Sequence, residues 1–332
     1  MHSAVGSSQR HGPGHGPGPG YGKGPSSAPG VGRGVCGGHH GELLQGSFRC
    51  AERGLITLPV RGISSSAYFT PGRTSGLTPN STPGTVGEVV TVVPEQKAKA
   101  RSAARRTLLA LGRADLGGML EIRSSVPVGK GFGSSSCDIV ATVRAVCHAL
   151  RREPSPSLIA AIATATETAS DPLMYSGSSG STVLFAQREG RVARTLPGLP
   201  PLWVLSCDSA PPDGCVVTEL MPLPQYSPEE RRSFEDLLSD MVRALEDRDA
   251  DLVGQVATAS AVINGRYLPN PLLAPAREVS GSCGALGVQV AHSGTLVGLL
   301  FADTPDVRRR AAGAVRLLRP FGARRCRLYR VC

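Results

Sequence analysis

A glycine- and serine-rich segment at residues 127–136 carries the residue types that bind phosphate. It reads Pro-Val-Gly-Lys-Gly-Phe-Gly-Ser-Ser-Ser and lies between an apolar run and a helical pattern. Glycines let a backbone approach an anion closely, and the following helix directs unpaired N–H groups and its positive dipole end at that anion. The segment therefore predicts a phosphate-binding loop; the alternative is an ordinary turn that caps a helix.

Most of this loop consists of candidates for binding a nucleotide phosphate: Pro127, Gly129, Lys130, Gly131, Gly133, Ser134, Ser135 and Ser136. The serine hydroxyls can cap the helix, bond phosphate oxygens or bind Mg²⁺. Lys130 could add a catalytic positive charge or face solvent. The loop does not end in Gly-Lys-Ser/Thr and lacks Gly-x-Gly-x-x-Gly, so it is neither a Walker loop nor a dinucleotide fingerprint.

The elements that must position this loop can be predicted from periodicity. An apolar run at residues 120–125 indicates a strand before it, and apolar residues at a spacing near 3.6 indicate a helix after it that ends before Pro154. A second helical pattern at residues 156–168 brings Glu167 close to Asp171. Helices mixed with antiparallel hairpins are typical of the α+β class and not of a doubly wound parallel sheet.

Three motifs, in chain order, resemble those of the GHMP small-molecule kinases. The loop pattern Pro-x-x-x-Gly-x-x-Ser-Ser-Ser is the central one, between Gly-His-His-Gly-Glu-Leu-Leu-Gln-Gly at residues 38–46 and Ala-His-Ser-Gly-Thr-Leu-Val-Gly-Leu at residues 291–299. The two outer motifs look like those of the L-threonine kinase branch, which serves cobalamin side-chain synthesis. The resemblance implies an ATP- and Mg²⁺-dependent kinase that phosphorylates the hydroxyl of L-threonine. Homoserine, serine or a specialised-metabolite alcohol are alternative acceptors.

The resemblance also implies roles for residues outside the loop. Ser135 and Glu167 would share the Mg²⁺. Asp171 would accept the hydroxyl proton or orient the substrate; the alternative is a turn-forming residue before proline. The substrate-side candidates are Glu42, Gln45, Asp138, Gly284, His292 and Ser293. The His-His pair at residues 39–40 departs from the Pro-Gly-x-Cys form that the L-threonine kinases are expected to have before Gly-Glu. Asp138 has an alternative role, as a charge near the helix N-terminus that the helix dipole stabilises.

The same resemblance implies two domains with the site between them. The N-terminal one would be like domain 2 of ribosomal protein S5 and would cover residues 35–197; the C-terminal one would be ferredoxin-like and cover residues 198–332. Residues 1–34 hold eleven glycines and five prolines, so they predict a disordered tail. Residues 280–287, which are rich in glycine and serine, are expected to form a flexible segment that closes over the phosphates or the substrate.

Composition limits the classes of protein that this chain can belong to. No apolar run reaches membrane-spanning length, which favours a cytoplasmic protein. Nine cysteines without a Cys-x-x-Cys pair argue against a zinc site or a disulfide framework. The net charge is +10, and residues 307–332 hold nine arginines and no acid. This block could bind nucleic acid, and the chain would then be a non-catalytic nucleic-acid-binding or regulatory protein. The helical apolar stripe of the block instead favours a folded segment with a basic outer face. The sequence leaves open whether the protein forms a homodimer.

Overall fold

The computed structural model describes residues 30–73, 90–176, 180–210, 223–292 and 294–332. Within these residues the strands are β1 (Gly32–Phe48), β2 (Ala51–Arg73), β3 (Val90–Val93), β4 (Leu116–Ser124), β5 (Ser181–Ala186), β6 (Arg191–Pro197), β7 (Leu202–Asp208), β8 (Gly287–Val290), β9 (Leu296–Ala302) and β10 (Arg324–Arg330). The helices are α1 (Ala98–Ala110), α2 (Ser134–Ala149), α3 (Pro156–Glu167), α4 (Pro228–Glu246), α5 (Ala250–Asn264), α6 (Leu273–Cys283) and α7 (Val307–Leu318).

The described strands form one sheet. Eight of them follow the order β10-β7-β9-β8-β1-β2-β4-β3, while β5 pairs with β2 and β6 pairs with β5. The β3–β4 pair is parallel and the other pairs are antiparallel. A largely antiparallel sheet with helices packed on it confirms the predicted α+β class.

The phosphate loop is held between β4 and α2, as the periodicity predicts. The apolar stripe of α2 is completely buried against β1 and β2, and it consists of Ile139, Val140, Val143, Val146 and Cys147. Ser155 caps α3 by accepting from the N–H of Leu158, and this helix ends at Glu167. The packing of α2 and α3 therefore fixes the positions of the loop serines and of Glu167.

The predicted domain division does not separate the chain cleanly. Strand β1 begins at Gly32, so residues 32–34 of the predicted tail belong to the sheet, and residues 1–29 lie outside the described residues. The boundary at residue 197 falls between β6 and β7, but the sheet crosses it because Glu42 on β1 pairs with Val290 on β8. The larger hydrophobic core also runs from Cys36 to Val331. The two-domain division stays a prediction.

The arginine-rich C-terminal block forms α7 and β10. Ala311, Ala314 and Leu318 bury the apolar stripe of α7. Two of its arginines pair with Asp306, at 2.9 and 2.8 Å, and Arg330 pairs with Asp303 at 2.9 Å. The expected folded basic face is therefore present. None of the described helices is long and apolar enough to cross a lipid bilayer.

Candidate active site

A cavity of about 270 Å³ opens beside the phosphate loop. Its lining includes most of the residues that the sequence assigns to the site: Gln45, Gly129, Gly131, Gly133, Ser134, Ser135, Ser136, Glu167, Asp171 and His292. Other polar residues line it too, and these were not predicted: His39, Arg53, Lys99, Gln187, Arg188, Tyr226 and Asn264. The fold thus brings the predicted phosphate loop, the metal candidates and Asp171 to one space.

The backbone of the phosphate loop is turned so that its carbonyls face other segments. The N–H groups of His39, Gly41 and Thr295 donate to three successive carbonyls, those of residues 132, 131 and 130, at 3.3, 3.3 and 3.1 Å. In a trans peptide the carbonyl and the following N–H point in opposite directions. The N–H groups of residues 131–133 therefore face away from these partners, which is the arrangement that a phosphate cradle needs.

Gly133 joins the loop to α2 at a place where no side chain fits. Its φ is +70°, in the left-handed region, and it occupies the N-cap position of the helix. A Cβ atom there would lie 2.5 Å from the ring of His39 and 2.9 Å from Asp171 Oδ2. The three serines lie in the first turn of α2, and none of them makes the capping hydrogen bond that was one of their possible roles.

Ser135, Ser136 and Glu167 form the candidate metal site. Ser136 Oγ donates to Glu167 Oε1 at 2.6 Å and accepts from the N–H of Asp171 at 3.2 Å. Ser135 Oγ is buried beside the same carboxylate without a well-formed hydrogen bond. A buried hydroxyl oxygen without a well-formed hydrogen bond, next to a carboxylate, fits a hard cation such as Mg²⁺. These residues therefore fit the predicted metal.

Burial strongly affects the charge of Glu167. Removal from water raises the pKa of this carboxyl to about 7 and outweighs the hydroxyls of Ser135 and Ser136, which lower it. Lys99 Nζ lies 3.8 Å from Glu167 Oε2 and also lowers this pKa. Without a bound cation, the carboxyl is therefore close to half protonated at neutral pH.

Asp171 forms a buried ion pair that the sequence did not predict. His39 Nε2 lies 3.1 Å from Asp171 Oδ2. Burial raises the pKa of Asp171, but the positive charge of the adjacent His39 outweighs it, so this pKa lies well below its ordinary value. Burial lowers the pKa of His39, but Asp171 and Glu42 outweigh that effect and raise it to about 9. Both groups are charged at neutral pH.

Glu42 and His292 form a second buried pair next to the first. Glu42 accepts from the N–H of His292 at 2.6 Å, and its other oxygen lies 2.9 Å from His292 Nδ1. One potential metal-ligand atom from each of His39, Glu42 and Asp171 lies within 4.8 Å of the other two, a spacing that a metal ion could bridge. Because each acid already faces a histidine, we interpret the cluster as a charge-balanced network that shapes the floor of the cavity.

Several predicted site residues lie elsewhere, and Pro127 and Glu42 are not among the described residues that line the cavity. The side chain of Lys130 neither lines the cavity nor faces open solvent, since its Nζ lies 3.4 Å from Asp208 Oδ2. Asp138 is outside the lining because Ser65 donates to one of its oxygens and Lys97 to the other, both at 2.6 Å. Ser293 lies outside the described residues.

The prediction of a flexible segment at residues 280–287 is wrong for the first four of these residues. Residues 280–283 are the last turn of α6, and Gly284 ends this helix with φ +67°. A glycine in that conformation commonly terminates a helix. Gly284 accepts from Arg310 on α7 at 3.4 Å, so it contacts that helix and is not among the described residues that line the cavity.

Comparisons with known proteins confirm the predicted resemblance. Residues 98–181 match the family GHMP kinases N terminal domain. An L-threonine kinase of Salmonella typhimurium is 25% identical over 181 residues, which are 54% of this chain and 59% of that protein. An L-threonine kinase of Citrobacter freundii is 24% identical over 183 residues, 54% of this chain and 61% of that protein. The chain thus spans about three fifths of the length of these curated relatives.

Solved structures share the fold at low sequence identity. A homoserine kinase from Cytophaga hutchinsonii has a TM-score of 0.64 and 16% identity, with 91% of this chain and 94% of that chain covered. The mevalonate kinase of Methanococcus jannaschii has a TM-score of 0.61 and 13% identity, with 92% and 99% covered. These similarities show that the chain shares the fold of these kinases.

Proposed function

We propose that this chain, whose residues 98–181 match the GHMP kinase N-terminal domain, is a small-molecule kinase. It transfers the γ-phosphoryl group of ATP to the side-chain hydroxyl of L-threonine and releases ADP and O-phospho-L-threonine. One observation carries the proposal: the phosphate loop, the Ser135–Glu167 metal candidates and the ionised Asp171 all line one cavity. The pathway that the resemblance to L-threonine kinases implies is cobalamin side-chain synthesis.

The loop and the first turn of α2 would hold the nucleotide. The N–H groups of residues 131–133 and the positive end of the α2 dipole favour the phosphate oxygens. Ser135 and Glu167 would hold the Mg²⁺, which neutralises charge on the β- and γ-phosphates when it is bound. Lys99, beside Glu167, is a further cation that can reach the phosphate end of the cavity.

Asp171 would orient the acceptor hydroxyl toward the γ-phosphorus. A carboxylate whose pKa is lowered is a weak proton acceptor, so removal of the proton before transfer is not the role that its environment favours. Phosphoryl transfer through a loose transition state requires mainly positioning and charge stabilisation. An ionised Asp171, fixed by His39, can hold the hydroxyl hydrogen and accept it as the new ester bond forms.

The rest of the cavity suits a small hydroxy amino acid. Gln45 offers an amide group, and Arg53 and Arg188 offer positive charges that can face a carboxylate. Homoserine is the second candidate, because similar folds include homoserine kinases. A single methyl group in such a pocket is worth only about 1–3 kcal/mol, so related acceptors should be turned over more slowly.

A panel of acceptors tests the proposal. ADP release would be measured with Mg-ATP and L-threonine, D-threonine, L-serine, L-homoserine or no acceptor. The proposal predicts the highest kcat/KM with L-threonine and weaker Mg²⁺-dependent turnover in E167Q. A higher kcat/KM with L-homoserine would move the assignment to the second candidate, and no acceptor-dependent release from a protein that binds Mg-ATP would contradict both.

A further inference from the structure

Asp208, the last residue of β7, is buried next to the phosphate loop and is surrounded by donors. Its Oδ2 lies 3.4 Å from Lys130 Nζ and accepts from Arg325 Nε and Nη2 at 3.0 and 2.6 Å. Its Oδ1 accepts from Thr295 Oγ1 at 2.5 Å and from the N–H of Ala210 at 2.9 Å. Burial raises the pKa of Asp208, but these donors outweigh it and lower the pKa, so the carboxylate is ionised.

The same carboxylate acts on both the side chain and the main chain of Lys130. It faces the ammonium group directly, and it also binds Thr295, whose N–H donates to the Lys130 carbonyl at 3.1 Å. The carbonyl of Thr295 is fixed in turn: it accepts from the N–H and Oγ of Ser209, at 3.1 and 3.0 Å, and from Asn270 Nδ2 at 3.2 Å. The loop is thereby attached to the end of β7.

The contact between residues 294–295 and the phosphate loop leaves no space for a side chain at Gly294. A Cβ atom there would lie 2.3 Å from the carbonyl oxygen of Lys130 and 2.7 Å from the N of Gly131. Its φ of +137° is also one that other residues rarely adopt. The backbone of residues 294–295 therefore contacts the backbone of the phosphate loop directly. A small displacement of Asp208 would consequently displace the N–H groups of that loop.

We propose that Asp208 is a positioning residue of the phosphate loop. It holds the Lys130 ammonium out of the cavity and, through Thr295, fixes the Lys130 carbonyl, so that the nucleotide meets a preformed cradle of backbone N–H groups. A lysine in a phosphate-binding loop would ordinarily be expected to contact phosphate as a point charge. Here the lysine is an anchor instead. The inference rests on the proposed function, because it concerns binding of the same nucleotide.

The test measures equilibrium binding of Mg-ATP and of adenosine to the full chain by calorimetry. We expect D208N to weaken Mg-ATP binding about tenfold, because a loop that must be ordered on binding lowers affinity. K130M should weaken it less than D208N, and D208N/K130M should bind as D208N does, because both changes remove the same contact. Adenosine, which lacks phosphates, should bind the variants and the wild type equally.

Two results would overturn the positioning role. One is a folded D208N that binds Mg-ATP as tightly as the wild type. The other is a K130M variant that loses more affinity than D208N, because that would make Lys130 a phosphate ligand. D303N is the matched control: Asp303 also pairs with an arginine, Arg330, and accepts from Trp203, so its replacement should leave Mg-ATP binding unchanged.

A second variant keeps the proposal testable if D208N does not fold. T295V removes the hydroxyl that donates to Asp208 but keeps the residue shape and charge, and it should raise amide hydrogen exchange at residues 129–133 above that of the wild type. Unchanged exchange at these amides would count against the role. Failure of the wild type to bind Mg-ATP would contradict the proposed function itself, whereas normal wild-type binding with unaffected variants would contradict only the role of Asp208.

Discussion

His39 Nε2 lies 3.1 Å from Asp171 Oδ2, and both side chains are buried at the floor of the cavity. Each group stabilises the charged form of the other, so His39 keeps its proton and Asp171 stays ionised at neutral pH. A buried carboxylate with no such partner would be protonated more readily. The pair therefore determines the charge of the acid that we propose as the orienting group for the acceptor hydroxyl.

The His39–Asp171 pair predicts how stability depends on pH. The pKa of His39 is about 9 in the folded protein, compared with an ordinary value of 6.5. Its contribution to the free energy of unfolding is therefore complete below pH 6.5 and is lost as the pH rises toward 9. The free energy of unfolding should fall over this range by up to about 1.4 kcal/mol per pH unit. Urea unfolding between pH 6.5 and 9 measures this slope.

H39Q should have a shallower slope than the wild type. At pH 6.5 it should also be less stable by roughly 3–5 kcal/mol, because Asp171 would remain buried without its partner. The control is H148Q, since His148 is exposed on α2 and accepts a backbone N–H, that of Arg33, at 3.1 Å. If H39Q and H148Q gave the same slope, the pair would not be ionised as described.

Neighbouring serines should respond differently to the same substitution. S136A removes a hydroxyl that donates to Glu167 and accepts from Asp171, so it should lower the free energy of unfolding by about 1–3 kcal/mol. S135A removes a hydroxyl without a well-formed hydrogen bond and should change stability by less than about 0.5 kcal/mol. S135A should nevertheless raise the Mg²⁺ concentration for half-maximal turnover. Equal Mg²⁺ requirements for S135A and the wild type would remove Ser135 from the metal site.

Glu167 predicts a pH dependence of the Mg²⁺ requirement. Its pKa is raised to about 7, and a carboxyl must lose its proton before it binds a metal ion. The ionised fraction rises about tenfold between pH 6 and pH 8, so the half-saturating Mg²⁺ concentration should fall by about the same factor. The dependence should be absent in E167Q. A wild-type requirement that is constant over this range would show that Glu167 does not bind the metal.

Replacing Asp171 separates catalysis from nucleotide binding. D171N keeps the size of the side chain but removes its charge, so kcat should fall by at least about tenfold while the Kd for Mg-ATP changes less than about twofold. D115N is a suitable control, because Asp115 forms an exposed pair with Arg113 at 2.8 Å. Near-normal kcat in D171N would make Asp171 a structural residue.

The parts of the site that depend on local sequence could be predicted. The loop, the helix α2 and the short distance from Glu167 to Asp171 follow from glycines, apolar spacing and the end of α3. His39 could not be predicted, because its contact with Asp171 depends on the register shifts of β1 on both sides of residue 39. Its place in the first motif, three residues before Glu42, is the signal that was available.

The partner of Lys130 and the helical state of residues 280–283 could not be predicted for a related reason. Lys130 lies in a loop that suggested phosphate or solvent, but its partner Asp208 comes from a strand far along the chain. Gly284 lies in a glycine- and serine-rich stretch, yet the helix α6, packed through the buried Ala276 and Val279, continues into that stretch as far as Cys283. Composition indicated flexibility where tertiary packing selected a helix.

Phosphoryl transfer to L-threonine is tested most directly by a single-turnover experiment with limiting ATP, excess L-threonine and Mg²⁺. The products would be identified by mass spectrometry. We expect one O-phospho-L-threonine for each ADP formed in the wild type, and at least about tenfold slower formation of both products in D171N. ATP bound or hydrolysed without a phosphorylated amino acid would contradict it.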